Sequence, residues 1–149
     1  MLFRSRNKVK QLDGFQLVHS MDSARVADAL AAYGTARGRP LEVLVQVNVS
    51  GEGTKGGYAS ESLERESDRL RGLSGVVVRG VMTMAPFDAD GGILRSVFSG
   101  VRRCGELLRA AGHPATELSM GMSGDYEIAV EEGATLVRLG TVLFGARPS

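Results

Sequence analysis

Leu41-Glu-Val-Leu-Val-Gln-Val-Asn-Val49 is the stretch from which the fold is read. It is dense in valine, and β-branched side chains suit the pleated surface of a strand. The strand gives out in a polar loop, Ser50-Gly-Glu-Gly-Thr-Lys-Gly-Gly57. Ser60 then reads as the cap of a charged helix reaching about Arg71, with Leu63 and Leu70 among its inward residues. Val76-Val-Val-Arg-Gly-Val-Met-Thr-Met84 is the next strand, closed by Ala85-Pro86.

The same alternation continues in both directions. Upstream, Phe15-Gln-Leu-Val-His19 reads as a short strand, and Ala24 to Tyr33 as a helix. Asp22 or Ser23 is placed to accept hydrogen bonds from the free amides of its first turn. Gly34 and Gly38-Arg-Pro40 are expected to break that helix. Downstream of the Asp88–Gly92 loop, Ile93, Leu94, Val97, Phe98, Val101, Leu107 and Leu108 recur at helical spacing. Glu117 to Ser119 reads as a strand end, and Asp125 to Glu132 as a short helix stopped by Gly133. Ala134 to Leu139 is the last strand, and Val142 to Gly145 a short helical turn. Strands alternating with helices predict an α/β fold with a parallel sheet and right-handed crossovers. A closed (β/α) barrel has eight strands in about 250 residues. About five strands in 149 residues predict a small open sheet or part of such a barrel, in either case one domain.

Composition narrows the function classes. The chain is 43% apolar and 23% charged, ordinary for a soluble globular protein. A net charge of +1 and few aromatics offer nucleic acid neither a basic field nor a stacking platform. No apolar run approaches the roughly 18 residues of a membrane span, and the first residues lack the apolar core of a signal peptide. The expected location is the cytoplasm. Cys104 is the single cysteine, so an intrachain disulfide is excluded, and its helical context reads as a half-buried structural position. The two histidines lie in no metal-spaced cluster, and no metal site is expected.

The chemistry concentrates near the C-terminus. Ser119-Met-Gly-Met-Ser123-Gly-Asp125 and Leu136-Val-Arg138-Leu-Gly140-Thr141 each place small residues and hydroxyls where an apolar strand ends. Small-residue turns let backbone amides approach a ligand closely, and two such turns after the last two strands make a place for a phosphate.

Several blocks occur in order: Asn7-Lys-Val-Lys10, Val18-His-Ser-Met-Asp-Ser23, Val45-Gln-Val-Asn-Val49 and Arg79-Gly-Val-Met-Thr-Met-Ala-Pro86. Glu117-Leu-Ser-Met-Gly-Met-Ser-Gly-Asp125 and Glu131-Glu-Gly-Ala-Thr-Leu-Val-Arg-Leu-Gly-Thr141 follow, through Phe144-Gly145. Together they resemble the pyridoxal phosphate homeostasis proteins, whose fold is similar to the barrel domain of alanine racemase. The resemblance runs from about Arg6 to Arg147. It implies an incomplete (β/α)8 TIM-barrel-type fold, here about the fourth to eighth strands with their helices. It also implies a preceding segment carrying the lysine that forms the Schiff base. Met1-Leu-Phe-Arg-Ser5 departs from the family pattern, and the expectation is an N-terminally truncated form lacking that lysine.

The resemblance assigns the cofactor, pyridoxal 5'-phosphate (PLP), and its contacts. Ser123, Gly124, Gly140 and Thr141 fall on the phosphate. Arg138 falls on the pyridine nitrogen, where an always-charged guanidinium weakens the ring as an electron sink. The rival reading of Arg138 is an ion pair with Glu131, Glu132 or another carboxylate. Met84 and Met120 are expected to line the pocket floor and Met82 to be core, since methionine also fills irregular gaps. Asn48 and His19 are placed towards the same mouth, with a structural hydrogen bond favoured for His19. Lys8, Lys10 and Lys55 are the only lysines, and none falls on the family's Schiff-base position.

Three functions follow as expectations. The first is a non-catalytic carrier or regulator in intracellular PLP homeostasis, forming no stable internal aldimine; no catalytic residue is assigned. The second is a PLP-dependent, racemase-like enzyme, which needs an acid/base pair on opposite ring faces. The third is a non-functional gene remnant. Full-length relatives are expected to be monomers, whereas open sheet edges predict self-association of this chain.

Overall fold

A computed structural model describes residues 12, 14–51 and 56–145. Its valine-rich stretches form strands that pair only in parallel. β1 is Val18–Met21, β2 Leu41–Asn48, β3 Tyr58–Ala59, β4 Val76–Met82, β5 Glu117–Met122 and β6 Leu136–Arg138. The sheet runs β1-β2-β4-β5-β6, with the two-residue β3 extending the end of β2 through Val47↔Tyr58 and Asn48↔Ala59. Helices α1 (Ala24–Ala36), α2 (Ser60–Arg71), α3 (Gly91–Ala110), α4 (Tyr126–Glu131) and α5 (Thr141–Phe144) separate the strands.

Each long helix turns a narrow, mostly apolar buried stripe towards the sheet. In α1 the stripe is Val26, Ala27, Leu30, Ala31 and Gly34. In α2 it is Leu63, Ser67 and Leu70, and in α3 it runs Leu94, Val97, Phe98, Val101, Cys104 and Leu108. The sheet answers with alternate side chains, as the two-residue period of a strand requires. Val43, Val45 and Val47 of β2, Val78 and Val81 of β4, and Leu118 and Met120 of β5 join the helices in one buried cluster. Leu44 and Met82 are equally buried but lie outside that cluster, on the opposite face.

That opposite face is concave. In a flat sheet β1 and β5, three strand intervals apart, would be separated by roughly 14 Å. Yet His19 Nδ1 of β1 lies 2.9 Å from Ser119 Oγ of β5. Arg138 of β6 likewise reaches past β5 to the carbonyl of Thr83, just beyond β4, at 2.7 Å. Only a curled sheet allows both contacts, so the strands form the wall of a partial (β/α) barrel.

Several local expectations shift. β1 begins three residues later than expected and extends to Met21, because Val18 and Met21 are the core residues, whereas Phe15 is exposed. Ser23 is the N-cap of α1 without a side-chain cap bond; its hydroxyl donates to Asp22 Oδ1 instead. Gly34 does not break α1. It sits inside the helix, where a Cβ would meet the Gly75 carbonyl oxygen at 1.9 Å. The glycine is a contact surface between α1 and the turn before β4. Ser60 is the first helical residue of α2, with Ala59 at the cap. β5 does not stop at Ser119 but continues to Met122, and Ile93 faces outward, 48% exposed. Cys104 is fully in the core rather than half-buried.

Candidate functional site: the concave face at the strand ends

Three polar side chains meet on the concave face. Ser119 sits on the side of β5 opposite the core residues Leu118 and Met120, so strand alternation directs it inward. Its hydroxyl accepts from Arg138 Nη1 at 2.8 Å and lies 2.9 Å from His19 Nδ1. Arg138 Nη2 donates to the Thr83 carbonyl at 2.7 Å. Thr83 is itself pinned, its hydroxyl donating to Val47 O at 2.9 Å and its amide to Ser119 O at 3.1 Å.

Arg138 is a half-buried cation held by neutral oxygens. Burial pulls its guanidinium below the ordinary arginine range, partly opposed by the nearby Asp125 carboxylate. The guanidinium remains charged at neutral pH, since arginine does not deprotonate in proteins. No carboxylate among the described residues is within ion-pair distance of it. Glu131 and Glu132, its rival partners, are taken by Arg95 of α3, and Glu132 also by Arg102. Burial, assisted by the Arg138 charge, lowers the His19 pKa to about 4, so this imidazole is neutral at physiological pH.

Next to Arg138, two backbone amides converge on one hydroxyl. Ser123 Oγ accepts from Gly140 N at 3.1 Å and from Val142 N at 3.2 Å. The turn that carries Ser123 is shaped by Asp125, whose Oδ1 accepts from Met122 N at 2.5 Å. Gly121, at φ +94°, lets β5 approach α4: a Cβ there would lie 2.6 Å from the Ala129 methyl and 3.0 Å from Tyr126 Cα. By contrast, a Cβ on Gly124 or Gly140 would meet nothing within 4 Å. These two glycines border open space, and a ligand can lie directly against their backbone. The space is a cleft of about 430 Å³, bordered by Pro86, Phe87, Ser123, Gly124, Arg138 and Thr141 among others.

Ser123, Gly124, Arg138, Gly140 and Thr141 therefore come together at one cleft, although they lie on two separate chain segments. Met84 and Met120 do not join them. Met120 is wholly buried in the cluster between sheet and helices, because it alternates with Ser119 along β5. Met84 is half-buried beyond the end of β4 and lies outside the cleft lining. Met82 is buried, as expected. His19 makes the structural hydrogen bond expected of it, and Asn48 Oδ1 accepts from Ser50 Oγ and Gly51 N in the loop after β2. Lys8, Lys10 and Lys55 lie outside the described residues. Sequence reasoning missed Thr83 as a support of Arg138 and Ser119 as the link to His19. Ser119 had a usable signal, a polar residue alternating with Leu118 and Met120 in an otherwise apolar strand. The Thr83 carbonyl had none, since every residue carries one.

A cleft at the strand ends of a parallel barrel wall, with a serine hydroxyl and open glycine backbone beside a half-buried guanidinium, offers hydrogen-bond donors to an anionic ligand. Residues 2–148 match the alanine racemase N-terminal domain family. The pyridoxal phosphate homeostasis protein of Aquifex aeolicus is 42% identical over 95% of this chain and 63% of its own length. That of Pseudomonas aeruginosa is 41% identical over 95% of this chain and 60% of its own. The solved structure of PipY from Synechococcus elongatus with PLP bound superposes with a TM-score of 0.86 at 34% identity, covering 96% of this chain and 68% of that one. Alanine racemase of Clostridium difficile shares the fold at 19% identity, with a TM-score of 0.78 over 99% of this chain and 39% of that one. The chain belongs to the alanine racemase N-terminal domain family. It spans less than two thirds of the length of the curated relatives described above. No helix among the described residues is long and apolar enough to cross a membrane.

Proposed function

We propose that this chain, as a single domain, binds PLP in the cytoplasm as part of intracellular PLP homeostasis. The phosphate fits the turn of Ser123, Gly124, Gly140 and Thr141. There the Ser123 hydroxyl, which accepts from the amides of Gly140 and Val142, keeps its own proton to donate, and two glycines leave their backbone accessible. The pyridine nitrogen fits Arg138. The observation that carries the reading is this guanidinium: half-buried, without a carboxylate partner among the described residues, and facing the same cleft as Ser123, Gly124, Gly140 and Thr141. A charged group of this kind is tolerated where a ligand completes its hydrogen bonding.

An arginine on the ring nitrogen keeps that nitrogen unprotonated and limits how far the bound cofactor delocalises a carbanion. This supports a holding or regulatory role over amino-acid transformation. Likeness to the PLP-bound PipY structure and to relatives named for PLP homeostasis supports the same reading.

The test is equilibrium titration of the chain with PLP, followed by absorbance, then borohydride reduction and peptide mapping. Saturable one-to-one binding is expected, with no stoichiometric adduct at Lys8, Lys10 or Lys55. Arg138→Met should weaken it by about tenfold or more, the worth of one charge-assisted hydrogen bond. Ser123→Ala should weaken it by about fivefold. Absence of binding, or binding indifferent to Arg138→Met, overturns the proposal. An α-proton exchange assay on amino acids with PLP should show nothing above the protein-free rate.

A further inference from the structure

We propose that His19 is a positioning residue for Arg138, acting through the Ser119 hydroxyl to hold the guanidinium towards the cleft. For the identity of the ligand that this guanidinium meets, the proposal rests on the PLP reading above. The geometry of the relay does not.

The direction of the hydrogen bonds follows from what each group can do. Arginine only donates, so at 2.8 Å Ser119 Oγ accepts from Arg138 Nη1. Ser119 is fully buried, and its hydroxyl hydrogen has to find an acceptor without water. Among the described residues its Oγ has one other neighbour, His19 Nδ1 at 2.9 Å. The hydroxyl therefore donates to Nδ1, and His19 carries its proton on Nε2. The chain of donation runs Arg138 to Ser119 to His19. A ring nitrogen that accepts turns the serine lone pairs towards Arg138, and a serine so turned fixes one Nη. The Thr83 carbonyl fixes the other. Two anchors on two nitrogens set the plane of the guanidinium, and its remaining N–H groups are left for a ligand.

The link spans the whole concave face. His19 stands on the edge strand β1, and Ser119 is a hundred positions further along the chain. The contact closes only when the sheet curls, so His19 also ties the geometry of Arg138 to the curvature of the barrel wall. The neutrality of the buried imidazole at physiological pH leaves Nδ1 free to accept.

Two variants separate positioning from mere packing. The Asn side-chain oxygen stands near the place of Nδ1, so His19→Asn keeps an acceptor; His19→Phe fills the space without one. The first measurement uses the chain without PLP. Long-range ¹⁵N–¹H NMR should show His19 as the Nε2–H tautomer. The Arg138 guanidinium resonances should be resolved in the wild type and in H19N, and exchange-broadened in H19F and in Ser119→Ala. The second measurement is PLP titration. About a tenfold loss of affinity is expected for H19F and for S119A, and at most about threefold for H19N. An Nδ1–H tautomer, or Arg138 resonances equally sharp in H19F, overturns the proposal. So do equal losses in H19N and H19F, or no loss in H19F where R138M does weaken binding. If the wild type fails to bind PLP, the functional reading falls and the NMR arms alone decide the relay.

Discussion

Gly34→Ala is a substitution for which local and tertiary physics demand opposite signs. Glycine inside a helix costs about 0.5–1 kcal/mol relative to alanine, so helix propensity alone forecasts a more stable protein. In the folded chain, however, the added Cβ would lie 1.9 Å from the Gly75 oxygen and 2.8 Å from its carbonyl carbon. Both are backbone atoms, and no side-chain rotation relieves them. The Leu41 amide also donates to that same Gly75 oxygen at 3.0 Å, holding the turn at the start of β2. α1 would have to withdraw by more than 1 Å, loosening Ala27, Leu30 and Ala31 in the core. Overpacking of this kind costs typically 1–3 kcal/mol, and the rigid obstacle places this site at the upper end. With about 1 kcal/mol returned by propensity, the net destabilisation is about 2 kcal/mol. In a domain of this size that lowers Tm by about 4–8 °C. Urea unfolding should show a lower midpoint at unchanged slope. Gly91→Ala is the internal comparison: its Cβ meets only the Ile128 side chain, at 3.7 Å, and should be neutral or stabilising by up to about 0.5 kcal/mol. A Gly34→Ala chain as stable as the wild type would refute the close packing of α1 on the turn before β4.

Three further outcomes are expected. Asp90 caps α3, its carboxylate accepting from Ile93 N at 2.9 Å; Asp90→Ala should cost about 1 kcal/mol in urea unfolding, and Asp90→Asn much less. His19 has a folded pKa lowered to about 4 from 6.5, beside the Arg138 cation. Its contribution to stability is therefore complete above about pH 6.5 and declines as the pH falls towards 4. The acid-side loss of stability should be steeper in the wild type than in His19→Asn, and parallel profiles would count against the burial of this imidazole. Burial also pushes the Cys104 thiol up, so it should react with a disulfide reagent only as fast as the chain unfolds, and rapidly in denaturant.

Much of the architecture was legible because it is written in local periodicity. The apolar spacing of Leu94, Val97, Phe98, Val101 and Leu108 is a property of one helix, and the valines of Leu41–Asn48 of one strand. The turn proposed for the phosphate was legible for a related reason. Small residues and hydroxyls just past strand ends are a local pattern, and Ser123, Gly124, Gly140 and Thr141 do border one cleft. Met120 was misplaced because strand residues alternate faces, and a one-residue difference in phase exchanges the pocket for the core. Gly34 was misread as a breaker for a similar reason. Its role lies in the Gly75 backbone, which is distant in sequence.

From the sequence alone came the α/β alternation, the parallel sheet and the two small-residue turns at the strand ends, and the family resemblance pointed to Arg138 beside them. Tertiary structure alone decided what Arg138 is attached to. By sequence the resemblance put the cofactor ahead, with a carboxylate such as Glu131 or Glu132 as the rival partner, and neither reading named the Ser119 hydroxyl or the Thr83 carbonyl. It is the curl of the sheet that carries Arg138 away from Glu131 and Glu132, onto the Thr83 carbonyl and the Ser119 hydroxyl, and brings His19 across from the far edge. Curvature is a property of the whole sheet and is encoded in no single segment. That is why the cradle was readable in the chain, and its supports were not.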